Sequence, residues 1–264
     1  MQHHFALAVL SCALFFAKTD AALFRYQPEK IAAGTVYHYL KTNIDGTVEE
    51  HVSLYVAAQD SLVAFKFHPG AERAGLVSAK MDWSIFSATR LASWQVYYTG
   101  ERKLFATLEY LPEEKSVAVE IPAMGKPSGK TAIPHAPFHI YNFDFSSLNF
   151  AFRHLLAPEK SFTIGIADPT FAENGPVFAY KGEAEVKFLE EEKRESAQCR
   201  KYSINGAGLQ NRGGFIWVDK KAGHIVDMEI AQPNNPEWQS FKLRLQSVGH
   251  MNPAAWEAFI EDQF

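Results

Sequence analysis

Residues 36–56 read VYHYLKTNIDGTVEEHVSLYV, and this stretch decides the fold. Two alternating runs flank Asp45-Gly46, a pair that suits the tight turn matching strand twist. If that pair forms a two-residue loop, facing residues have numbers summing to 91. Tyr37 then faces Leu54, Tyr39 faces Val52, and Lys41 faces Glu50. Two apolar pairs and one opposite-charge pair on the same face fix a single register, since a one-residue slip would turn every side chain over.

The same alternation spreads outward from this hairpin. Leu62 to Phe67 reads as a strand, and Trp94 to Tyr98 and Lys103 to Leu111 flank Thr99-Gly100. Val117, Val119 and Ile121 share a face. Met124 to Thr131, rich in Gly, Pro, Lys and Ser, reads as a linker or long loop. Beyond it, Phe162, Ile164 and Ile166 alternate with small residues, and Ala184, Val186 and Phe188 alternate with charges. Gly214 to Val218 and Ile225 to Ile230 flank a loop that Gly223 can close. Phe241, Leu243 and Leu245 complete the series. One oily and one wet face per strand is the pattern of antiparallel sheets. The 14% aromatic content, mostly 21 Phe and 10 Tyr, leans the same way.

Two segments depart from period two. Ser146 to Leu156 carries apolar residues at 148, 151, 152, 155 and 156, a helical stripe with Asp144 or Ser146 as candidate cap and Pro158 beyond it. Near the C-terminus Asn252 and Pro253 are a cap and first helical residue, with Trp256, Phe259 and Ile260 on one face. Neither helix alternates with strands, so a parallel βαβ architecture is disfavoured. The expected fold is therefore mainly β: an antiparallel, strongly curved sheet or incomplete barrel with one or two helices. One mostly antiparallel domain is expected over 22–264, with possible halves 22–122 and 132–264.

Residues 1–21 read as a secretory signal. Phe5 to Phe16 is almost unbroken in apolarity, and cleavage after Ala21 would place Thr19 and Ala21 at the small-residue positions. The run is too short to span a bilayer, and no later segment is long and apolar enough. Cys12 falls inside it, which leaves Cys199 without an internal disulfide partner after processing. The absence of any Asn-x-Ser/Thr sequon suits a bacterial periplasm better than a eukaryotic route. With a net charge of -4 and no basic stripe, nucleic-acid binding is disfavoured.

No motif names a reaction, a metal or a cofactor. His135 and His139, near Asp144, would share a helical face suited to zinc, but Pro134 and Pro137 argue against a helix there. On a strand they stand about 13 Å apart, too far for one ion. An edge strand leading into the helix is the simpler reading. The same three residues form the alternative of an envelope hydrolase. Cys199, beside Arg200 and Lys201, reads as a small buried residue before Tyr202 rather than a reactive thiol. Glu190 to Lys193 reads as a solvated hairpin tip. Phe65, Phe67, Trp94, Phe105, Phe150 and Trp217 are the candidate lining of an apolar ligand cavity, though they could equally fill a core.

From Asp144 to Leu245 the chain carries Asp144-x-x-Ser147-Leu148, Tyr180-x-Gly182, Cys199-x-Lys201-Tyr202 and Gly214-x-Ile216-Trp217-Val218-Asp219. These marks resemble a family of exported bacterial proteins of unknown function, which in turn look like the curved-sheet periplasmic carriers of lipoproteins and lipids. The resemblance implies a sheet wrapped around one or two helices and an apolar or lipid-like partner. It brings no catalytic residue. The expected function is thus an exported, periplasmic or secreted binding protein. A structural or assembly partner in the envelope is the third possibility, and the oligomeric state is left open.

Overall fold

The computed structural model describes residues 23–122, 128–170 and 175–264. The signal-peptide reading lies outside these residues, as does the first half of the segment read as a linker. The first half supplies β1 (Thr35–Thr42), β2 (Glu50–Ala58), β3 (Ser61–Phe67), β4 (Arg73–Asp82), β5 (Ser87–Tyr97), β6 (Arg102–Leu111), β7 (Ser116–Glu120) and β8 (Gly129–Ala132). After β9 (Phe138–Ile140) comes the helix α1 (Ser146–Ala151), extended by a tight turn over Phe152–His154. The second half continues with β10 (Phe162–Pro169), β11 (Phe178–Arg194), β12 (Ala197–Asn205), β13 (Gly214–Asp219), β14 (Ile225–Ile230), β15 (Phe241–His250) and the helix α2 (Pro253–Glu261).

Among the described residues these strands form one sheet in the order β8-β7-β6-β5-β4-β3-β2-β1-β15-β14-β13-β12-β11-β10-β9. All neighbours are antiparallel except β9 and β10. Pairing of β1 with β15 carries the sheet unbroken from one half of the chain into the other. The sheet does not close into a barrel. It curls until its two ends meet side by side. Thr131 Oγ1 of β8 donates to the Phe178 carbonyl at 2.7 Å, and the Phe138 N–H of β9 donates to Ser87 Oγ at 2.9 Å.

The register of the first hairpin is as its sequence dictates: Tyr37 faces Leu54, Tyr39 faces Val52 and Lys41 faces Glu50. The connection is longer than two residues. Asn43 N–H donates to the Thr47 carbonyl, Gly46 takes φ 86° inside that turn, and Val48 takes φ 58°. Val48 thus absorbs the residue that separates the turn from the strand register. The charge run Glu190 to Lys193 is not a tip but part of β11, where Glu192 faces Cys199; the chain turns after it, with Glu195 at φ 51°. Lysines on β12 and in the loop after β13 hold the run in line, through Lys201 to Glu190 and Lys220 to Glu191. Two strands lack a clear signal in the sequence. β4 mixes small and polar residues on both faces, and β8 falls in the stretch that composition marks as a loop.

The sheet buries both faces. Its concave face wraps α1, all six residues of which are buried. Asn149 bolts this helix to the wall, donating to Tyr39 Oη at 2.8 Å and accepting from the Ile225 N–H at 2.8 Å. The cap differs from expectation. Phe145 occupies the N-cap in the left-handed region without a side-chain bond, because Asp144 is drawn away by two lysines. On the convex face α2 lies over Val36, Tyr55, Phe65, Leu76 and Val96 through Trp256 and Ile260. Here the cap is as expected: the Asn252 side chain accepts from Ala255 N–H and Pro253 follows.

Candidate functional site

A cleft opens on the concave side where the two ends of the sheet approach. Its volume is about 140 Å³, and its walls are Val77, Leu91, Ala106, Leu108, Val119 and Ile121 on one side and Ile140, Phe143, Pro169 and Phe178 on the other. Ser93, Asn142, Thr107 and Thr170 add a few polar groups. The local cause is a pair of irregularities. In β6, Ala106 faces Ser93 but Leu104 faces Trp94, so Phe105 is the extra residue of a bulge. A bulge reverses the alternation of side chains. Phe105 and Ala106 therefore both join the inner core, while Trp94 packs on the convex side and Leu104 is exposed. In β10 the register shifts between Ile166 and Ala167, both fully buried. Beyond it Pro169 lines the apolar cleft.

That second shift turns Asp168 to a different cleft, polar and about 560 Å³, which shares Pro169 and Thr170 with the first. Asp168, Tyr141, Lys181, Gln210, Gln232 and Asn234 line it, and the Ala207-Gly208 turn forms part of its wall. Gly208 is required there, since a Cβ would lie 2.6 Å from Ile166 Cγ1. Asp168 is 8% exposed and accepts from the Asn142 N–H at 2.8 Å. Burial pushes its carboxyl up to about 7, against the smaller opposing effects of that hydrogen bond and of Lys181. Gln232 Oε1 and Asn234 Oδ1 are buried without a hydrogen-bond partner.

The six aromatic residues singled out by the sequence do not converge. Only Phe105 lines the cleft. Phe65, Phe67 and Trp94 belong to the convex cluster under α2. Phe150 is wholly buried in α1, with the Arg153 guanidinium 4.5 Å from its ring centre. Trp217 packs with Cys199 and Val226 in a third cluster, under the Arg194 guanidinium at 4.2 Å. The remaining walls of the cleft are mostly aliphatic residues of modest size, with Phe143 and Phe178, which the sequence did not single out. Their signal was the shared face of Val117, Val119 and Ile121, not aromatic bulk.

His135, His139 and Asp144 are likewise apart in function. His139 is 1% exposed, bonds Ser147 Oγ at 2.8 Å through Nδ1, and is pushed down to about 3 by burial. His135 reaches only the Pro137 carbonyl, at 3.3 Å. Asp144 sits 3.3 Å from Lys41 Nζ and 2.5 Å from Lys66 Nζ, and accepts from Asn234 Nδ2 at 2.7 Å. Burial would raise its carboxyl, but the two lysines outweigh that and hold it below the ordinary value. Lys41 also pairs with Glu50 at 2.9 Å and lies 4.3 Å from the Trp238 ring centre. This is an interior charge network at the tips of the central strands β1 to β3, not a floor of convergent acid and base. The thiol of Cys199 is wholly buried and pushed up to about 11 by that burial, the environment of an inert thiol. No helix of the described residues is long and apolar enough to cross a membrane.

No family model matches the chain, and no curated protein does. The family resemblance drawn from residues 144–245 therefore gains no support from that side. Among solved structures the chain is similar to one from Vibrio parahaemolyticus, provisionally described as an outer membrane lipoprotein-sorting protein domain. The match covers 86% of this chain and 91% of that one, at 9% sequence identity and a TM-score of 0.30. At that score the likeness assigns neither fold nor function.

Proposed function

We propose that the protein is an exported, non-enzymatic binding protein that holds an apolar or lipid-like ligand by a short stretch of chain in the cleft at the seam of its sheet. The observation that supports this is the cleft itself: a space lined almost wholly by aliphatic and aromatic side chains, beside a packed interior helix that does not fill it. A volume near 140 Å³ is about that of the engineered cavity known to take up benzene. It is smaller than a site of about 300 Å³ or more that encloses a drug-sized molecule. The ligand is thus gripped at one end, with the rest outside.

Apolar burial is worth about 0.8 kcal/mol per methylene, or roughly fourfold in affinity. Displacement of a fluorescent apolar probe by straight-chain alcohols tests this directly. Affinity rises about fourfold per added carbon and levels off at about six carbons, when the space is full. Ala106→Phe fills the cleft from its wall and weakens binding at least tenfold. Alcohols that fail to displace the probe at any length, or an Ala106→Phe protein that binds as tightly as the parent, would refute the proposal.

A further inference from the structure

We infer that the polar cleft beside the seam is a second subsite of the same ligand, and that it receives a primary ammonium group carried on the apolar chain. This rests on the reading of the apolar cleft as a ligand site. The two spaces share Pro169 and Thr170, so a molecule seated in one extends into the other across a single residue pair. The polar space is unlike the apolar one in its chemistry. Three residues with acceptor oxygens line it from two segments, Asp168 from β10 and Gln232 and Asn234 from the loop after β14, and Tyr141 closes the side.

Two of these acceptors have no donor among the described residues. Asn234 is 4% exposed; its amide nitrogen is committed to the Asp144 carboxylate and the Tyr141 carbonyl, which fixes its oxygen as the group left over. Gln232 likewise spends its nitrogen on the Pro233 carbonyl and leaves its oxygen bare. Buried acceptors without donors cost free energy, and a ligand that supplies donors recovers it. An ammonium carries three N–H donors and no acceptor. It therefore matches the buried Asp168 carboxylate with amide oxygens beside it, where a phosphate or carboxylate head would meet that carboxylate as a like charge. Lys181 also lines the cleft, but its side chain is exposed and its charge is screened by water, whereas Asp168 is buried.

The test compares hexylamine with hexanol, equal in apolar length, by probe displacement on the full chain at pH 8. Hexylamine binds at least tenfold more tightly than hexanol. Asp168→Asn keeps an acceptor for the Asn142 N–H but removes the charge, and Gln232→Met removes one free oxygen. Each reduces the advantage of the amine several-fold and leaves hexanol unchanged. Equal binding of the two probes, or an amine advantage that survives in Asp168→Asn, overturns the ammonium subsite while the apolar cleft stands. If neither probe binds, the cleft is not a ligand site and both readings fall together.

Discussion

Asp168 is the residue on which stability and the proposed binding pull in opposite directions. Its carboxyl is raised by burial from the ordinary carboxylate value to about 7. Between those two values the folded chain holds a proton that the unfolded chain has released. Stability from this residue is therefore complete below about pH 4 and is lost as the pH rises through about 7. Asp168→Asn is uncharged at every pH. Its melting temperature should exceed that of the parent at pH 8, by an amount equivalent to roughly 3–5 kcal/mol at most, and match it at pH 4. A parent that melts no lower than the variant at pH 8 would show that the carboxyl is not desolvated. Binding runs the other way: the preference for hexylamine should grow from pH 6 to pH 8 as Asp168 ionises, with Tyr141, Lys181 and Lys66 the other titratable groups facing it. Asp144 shows the opposite arrangement. It is held ionised between two lysines, one of them with no exposed side chain. Asp144→Asn takes the carboxylate from Lys66 and leaves Lys41 with Glu50 alone, and should cost about 3–5 kcal/mol in chemical denaturation. None of this was legible in the sequence. In the sequence Asp144 and Ser146 are both candidate caps, because a carboxylate or hydroxyl before an apolar run is a common cap, and only the curl of the sheet brings Lys41 and Lys66 to Asp144.

At the scale of elements, the sequence disclosed period and register but not curvature. The hairpin of β1 and β2 was readable because an alternating pattern and a charge pair agree on one alignment. The helix α2 was readable from its Asn252-Pro253 start. What failed was the assignment of faces. Phe65 and Trp94 are apolar residues on strands that are buried on both sides, so their alternation marks no single interior. The bulge at Phe105 then reversed the order within one strand, and bulges leave no reliable trace in composition. The cleft walls were missed for a related reason: whether a residue on the concave face meets α1 or empty space depends on where the helix stops. The separation of faces makes a clear prediction. Trp256 is 3% exposed and stacks on Tyr55 at 4.8 Å, so Trp256→Ala should destabilise the fold by about 3–5 kcal/mol. Probe affinity should be unchanged where the variant remains folded, because α2 covers the convex side. A loss of affinity in proportion to helix removal would mean that the ligand sits under α2 instead.

For the whole molecule, three imidazoles set the acid limit. His139 and His154 are each pushed down to about 3, and His224 to about 4, by burial first, with His135 adding to the effect at His139 and Arg153 at the other two. Below pH 6.5 the unfolded chain takes up protons at these positions and the folded chain does not. Stability should thus fall as the pH drops from about 6.5 towards 4, opposite in sign to the Asp168 effect, and three groups outweigh one. Melting temperatures between pH 7 and pH 4 should decline, and His139→Gln should flatten part of that decline. An unchanging melting temperature across this interval would contradict the burial of the three rings.

The two ends of the sheet touch without sharing a ladder. A closed cylinder of strands has a fixed bore, because widening it anywhere breaks a row of backbone bonds. Here the cross-seam bonds of Thr131 with Phe178 and of Phe138 with Ser87 act as a clasp in place of such a row. If the cleft holds a ligand as proposed, opening the seam for a thicker one costs those two bonds and no row of backbone pairs. For the proposed ligand the seam is a spring clip, selecting for oiliness while leaving overall length free.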